Sequence, residues 1–185
     1  MSEPNLGSDS EMLAWDETGG ETYLTFTLDG DVFAFNVRHV REVLEFTSVT
    51  RIPRAPLYLR GVLNLRGAVV PVVDMRLKLG MAASAPTVDT CIIVVELSGQ
   101  DGAVMVGAVV DAVADVLEMQ PSAIEPAPKF GNLVDAEMIQ GMGRRDDELI
   151  IILDAGRVFA GDAQALGEHR EPVGPLGSST SHIVA

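Results

Sequence analysis

The sequence predicts an all-β fold, mainly strands with short helices, arranged as two small β-barrels. Three observations carry that prediction. Valine-rich runs recur between Gly-containing turns. The order of runs and turns is repeated once along the chain. The helical signals are short, and two of them open on an aspartate suited to capping a first turn.

Residues 23–36, YLTFTLDGDVFAFN, alternate apolar and polar on either side of Asp29-Gly30 and read as a hairpin. Asn36 then stands as an N-cap before VRHVREVLEF, where Val37, Val40, Val43 and Leu44 fall at helical spacing. A short helix or turn is expected there, followed by a return to strand. Pro53 and Pro56 punctuate, and VLNLRGAVVPVVD gives two strands about a turn at Arg66-Gly67. Asp74 caps MRLKLG, and MAASAPTVD is a spacer. The pattern then begins again: CIIVVELSGQDGAVMVGAVVDAVADVLE is strand, turn, strand and a valine-spaced segment.

The repeat has a register. Val40 falls on Val113, Glu42 on Asp115 and Val43-Leu44-Glu45 on Val116-Leu117-Glu118, while Gly61 falls on Gly141 and Asp74 on Asp154. Two units, roughly residues 22–80 and 88–160, follow from it. Outside them, residues 1–21 read as a disordered acidic arm and residues 161–185 as a flexible tail rich in Gly, Pro and Ser. Residues 1–22 hold six acids and no Lys or Arg. The arm reads as solubilising, with EMLAW its candidate docking motif.

The formal net charge of −14 is unevenly spread. Residues 38–78 carry eight basic and three acidic side chains, residues 79–160 four and thirteen. The asymmetry points to a partner, but not to nucleic acid, whose binding needs a concentrated basic surface. No run approaches the roughly 18 apolar residues of a membrane span, and no signal peptide opens the chain, so a cytoplasmic protein without direct membrane insertion is expected. Cys91, the single cysteine, lies in an apolar strand-type run and reads as a buried structural thiol.

Catalytic, cofactor and metal constellations are not found. His169 and His182 fall in the tail, His39 stands alone, and neither a nucleophile elbow nor zinc spacing occurs. GMGRRD, residues 141–146, lacks the third glycine of a phosphate loop and reads as a hairpin, with Asp146-Asp147 as solvated turn residues. No enzyme is expected. Arg66, at a strand end beside Gly67, has the fork geometry to hold one carboxylate, and Glu42 is the candidate.

Taken together, FTLDGDVFAFNVRHVREVLE, TRIPRAPLYLRGVLNLRGAVVPVVDMRLKLG, GAVVDAVADVLE and IIILD resemble the CheW family of chemotaxis coupling proteins over about residues 22–160. The resemblance implies two intertwined five-stranded SH3-like barrels around one core. It also implies a non-catalytic adaptor without cofactors. Its partners would be the regulatory domain of the histidine kinase CheA and the cytoplasmic tip of chemoreceptors, with recruitment to membrane-associated arrays. Carried over by position, Glu42 and Arg66 form the pair of a receptor-binding groove, Val40 and Gly61 adjoin it, and Val113 and Val116 come from the second lobe. Arg60 is expected to keep its head in solvent, and kinase contacts to use exposed apolar positions at the barrel ends. An adaptor for a pilus or other chemosensory pathway keeps the same fold. A small-ligand-binding barrel would instead need polar groups converging in a pocket.

Overall fold

The computed structural model describes residues 19–127 and 136–162. Ten strands follow in chain order: β1 (Glu21–Leu28), β2 (Asp31–Asn36), β3 (Val40–Glu45), β4 (Leu59–Leu65), β5 (Ala68–Asp74), β6 (Cys91–Gly99), β7 (Gly102–Val110), β8 (Ala112–Met119), β9 (Ile139–Arg145) and β10 (Glu148–Leu153). They form two five-stranded sheets, in the orders β8-β1-β2-β10-β9 and β3-β6-β7-β5-β4. Each sheet takes strands from both halves of the chain. The all-β, intertwined architecture expected from the sequence is therefore the one observed.

Moving every strand five places along the chain converts one sheet order into the other. The likeness extends to single hydrogen bonds. Each sheet has one parallel pairing, Val72 opposite Gly107 and Ile152 opposite Ala34. An irregular segment crosses each edge strand by reciprocal backbone bonds, Thr50 with Val62 and Glu125 with Met142. These crossings explain the Gly61 and Gly141 match, because a Cβ at either glycine would meet the backbone carbonyl of the crossing residue, Thr50 or Glu125. Asp74 and Asp154 each accept from the backbone N–H three residues on, capping the helical turns Met75–Lys78 and Ala155–Val158.

Burial on both faces accounts for the unbroken apolar runs. Along β6, Ile92 and Val94 enter a core within their own sheet, while Ile93 and Val95 join a cluster shared by the two lobes. The first sheet has its own core around Tyr23, Ala34, Met119, Ile150 and Ile152. The shared cluster holds Phe26, Phe33 and Phe35 with Val73, Val106, Val158 and Phe159. Its rings meet at 5.0 Å (Phe26 and Phe35) and 6.0 Å (Phe35 and Phe159) between centroids. One continuous core thus joins the lobes.

Three sequence expectations need correction. The helical spacing over residues 37–44 yields only a 3-10 turn, Val37–His39, capped by the Asn36 side chain on the Arg38 N–H, and then strand β3. Valines at that spacing also suit a strand, and pairing with β6, some fifty residues away, supplies the backbone bonds that decide it. The valine-spaced run from 109 likewise becomes the end of β7 and β8. Finally, Arg60 does not keep its head in solvent: its Nε and Nη2 lie 2.9 and 2.8 Å from Asp74 Oδ2, on a side chain only 5% exposed. A carboxylate that deeply placed requires a cationic partner.

At the margins, β1 begins at Glu21, inside the expected arm, and Asp162, inside the expected tail, is buried against Lys78. Residues 1–18 and 163–185 lie outside the described residues. Cys91 is half-buried at the start of β6, with its Sγ 3.2 Å from the Asp89 carbonyl.

Candidate partner-binding site

Glu42 and Arg66 meet as a two-pronged ion pair. Arg66 Nη1 and Nη2 donate to Glu42 Oε1 and Oε2 at 3.0 and 3.1 Å. Glu42 sits on edge strand β3. Arg66 occupies the β4–β5 turn with a positive φ of 51°, followed by Gly67 at 86°. That conformation opens a tight two-residue hairpin and turns the arginine back toward β3. The pair therefore ties one edge of its sheet to the hairpin carrying the opposite edge. Glu42 is 22% and Arg66 78% exposed, so one member is braced by the fold and the other faces outward. The fork spends two of the five guanidinium N–H donors and leaves three for a partner.

Val40, two residues before Glu42, is half-buried against the shared core, beyond a register irregularity in the β3–β6 pairing. Gly61 is buried on β4 beneath Thr50. Val113 and Val116 belong to β8, in the other sheet. Val113 packs on the shared core, whereas Val116 is 61% exposed. The structure thus brings Glu42 and Arg66 into contact and sets Val40 beside them, with Val113 and Val116 in the equivalent place on the second lobe.

That equivalence extends to charge. Asp115, matched to Glu42 by the repeat, accepts from Arg145 Nη1 at 3.0 Å, so the second sheet has an ion pair between its own edge strands β8 and β9. The aliphatic surroundings correspond too: exposed Val43 and Val69 on one lobe, exposed Val116 and Leu149 on the other. Sequence reasoning missed this second pair, although the Glu42–Asp115 match held the signal.

Between the lobes, Arg76 donates from Nε to Asp111 Oδ1 at 2.8 Å and from Nη2 to Asp111 Oδ2, with Asp29 Oδ1 3.7 Å from Nη1. Asp29 also donates its backbone N–H to Asp111 Oδ2 at 2.8 Å. The Arg76 hydrogen bonds hold the Asp111 carboxyl below its ordinary value of 3.8, against the opposing effect of burial. This cluster joins the β1–β2 hairpin, the β7–β8 connection and the turn Met75–Lys78. Among the described residues no group of His, Cys, Asp and Glu could hold a metal ion, and no helix is long and apolar enough to cross a membrane.

Comparison with known proteins gives a consistent answer. The family model described as the CheW-like domain matches residues 22–163. A chemotaxis protein CheW of Klebsiella aerogenes is 33% identical over 150 residues, covering 81% of this chain and 88% of the relative. One of Rhizobium meliloti is 36% identical over 141 residues, covering 76% and 88%. Among solved structures, the scaffolding protein TtCheW from Thermoanaerobacter tengcongensis superposes with a TM-score of 0.69 at 31% identity, covering 76% of this chain and 88% of that one. With its two strand-exchanged sheets and its match from residue 22 to 163, the chain belongs to the CheW-like domain family.

Proposed function

We propose that this protein is a non-catalytic adaptor that couples chemoreceptors to the histidine kinase CheA in a chemotaxis signalling array. Family membership supports the adaptor role, and the observation that carries the receptor site is the Glu42–Arg66 fork. A braced carboxylate holds an outward-facing guanidinium in fixed geometry, as recognition of a polar group on a partner helix requires. The groove comprises Val40, Glu42 and Arg66 with Val113 and Val116 from the second lobe, and Gly61, buried beneath Thr50, adjoins it. Its valines accept the apolar stripe of one receptor helix, while the ion pair sets register. The protein is cytoplasmic and reaches the membrane-associated array through the receptors. Kinase contacts fall outside the groove, where Leu57 and Leu149 are exposed aliphatic candidates.

The mechanism is assembly. One rigid body touches both partners, so a small change at the receptor biases kinase geometry through a shared scaffold. The test is binding of a receptor cytoplasmic fragment to the wild-type protein and to Arg66→Glu. The variant places like charge beside Glu42 and is expected to bind at least tenfold more weakly while keeping its circular dichroism spectrum. Undiminished binding would remove the groove assignment.

A further inference from the structure

Val113 and Val116 are three residues apart on β8, and both belong to the proposed receptor groove. Side chains on a regular strand alternate between faces, so a spacing of three would send them to opposite sides. The pairing of β8 with β1 brings them together. Val116 is opposite Leu24 and Val113 opposite Phe26, with a register shift between the two pairs. Leu24 and Phe26 are two apart on β1 and both enter the shared core. Directly opposed residues of an antiparallel pair share a face, so a bulge at Ala114-Asp115, opposite Thr25, carries Val113 and Val116 to the same one.

A bulge interrupts the ladder where it falls, and β8 is an edge of its sheet, with no further strand on its outer side among the described residues. Here a side chain restores the lost bonds. The Thr25 hydroxyl donates to the Asp115 carbonyl and accepts from the Asp115 N–H, both at 2.9 Å. Thr25 is 2% exposed, so its hydroxyl is withdrawn from water and gives its donor and an acceptor to this one residue. The first lobe has a register shift at the matching place, between Val40 and Glu42, with Val95 opposite Val40 and Ile93 opposite Val43. The repeat thus sets Thr25 on Val94, which lies opposite Glu42 and has no hydroxyl to offer. The side-chain fastening is particular to the second lobe.

We propose that Thr25 is a positioning residue of the receptor groove: by holding both backbone groups of Asp115 it fixes the bulge, and with it the face on which Val116 stands beside Val113. Asp111, just before β8, is gripped by Arg76, so the stretch bearing Val113 is suspended between two side-chain anchors. The effect of Thr25 on binding rests on the receptor reading; its hold on the strand does not.

The experiment compares wild type, Thr25→Val and Thr25→Ser as full-length proteins. Valine keeps the branched shape, is what the first lobe carries at this place, and removes the hydroxyl; serine keeps the hydroxyl and removes the methyl. Three quantities are read on each: hydrogen exchange of the Asp115 amide, the nuclear Overhauser contact between Leu24 and Val116, and affinity for a receptor cytoplasmic fragment. Thr25→Val is expected to speed Asp115 exchange about tenfold, to weaken the Leu24–Val116 contact and to lower fragment affinity about fivefold, on the scale of one lost hydrogen bond. Thr25→Ser is expected to match wild type in all three although its thermal midpoint falls, because a buried methyl is gone. The reverse order, with serine binding more weakly than valine, would show a packing role and overturn the proposal. Wild-type exchange and an intact Leu24–Val116 contact in Thr25→Val would overturn it too, as would undiminished affinity in a Thr25→Val protein whose strand has shifted. A wild type that fails to bind the fragment would remove the receptor reading and the groove role with it, and the Asp115 and Leu24–Val116 readouts tell that failure from a failure of the bulge.

Discussion

Arg66 joins a fold requirement to the recognition role proposed for it. Its positive φ belongs to the hairpin turn, and its fork belongs to Glu42. Exposed pairs are worth about 1 kcal/mol or less, so reversing Arg66 costs little stability and its effect appears in binding. Exchanging the charges, Glu42→Arg with Arg66→Glu, is expected to restore stability but not receptor affinity, because the outward group then has the wrong sign. A thermal melt beside a binding titration separates the two. Gly61 is the opposite case. A side chain there meets the Thr50 carbonyl at a φ of 148°, so Gly61→Ala is expected to destabilise by about 2–4 kcal/mol in urea unfolding. The Glu42–Arg66 pair was legible from residue types and a turn signal. The Arg60–Asp74 pair was not, because nothing in the spacing shows that Asp74 is buried.

Among the elements, the four-residue turn Met75–Lys78 ties together more of the molecule than its length suggests. Asp74 caps it and receives Arg60, while Arg76 reaches Asp111 and Asp29. Lys78 lies 2.9 Å from buried Asp162 and 4.1 Å from the Tyr58 ring centre. Arg76→Gln is expected to cost about 2 kcal/mol at pH 7, since it leaves Asp111 without its charged partner. The pH dependence has a definite sign. Asp111 is depressed in the folded protein, so the stabilisation is fully present above its ordinary value of 3.8 and is lost as pH falls through the lower folded value. The gap between wild type and variant in denaturant unfolding should narrow below about pH 4. A gap that stayed constant down to pH 2 would show that Arg76 acts through packing alone. The capping aspartates were readable from sequence because a cap is local. Strand β3 was misread because its pairing partner is distant, and short valine runs satisfy both helical and strand spacing.

Across the whole molecule, strand exchange and a shared core are expected to make the two lobes unfold together. Phe26, Phe33 and Phe35 from one sheet pack with Val73 and Val106 from the other. Phe35→Ala is expected to cost about 3–5 kcal/mol, and near- and far-ultraviolet circular dichroism should still report one coincident transition. Separate transitions would mean that the lobes are independent bodies joined by a linker. The repeat was legible because its aspartates, glycines and turns stay in register. Which strands pair was not, since identical alternation suits either sheet and only the closed arrangement shows the exchange. A rigid body with two related lobes suits the proposed adaptor role, which requires two partners to be held at a fixed separation. The most direct test is co-sedimentation of the purified protein with receptor cytoplasmic fragments and CheA, with kinase activity measured on the same samples. The account predicts a three-component complex that forms only when this protein is present and raises kinase activity, and that is lost with Arg66→Glu. Sedimentation of receptor and kinase to the same extent without the protein, or kinase activity indifferent to it, would contradict the coupling role.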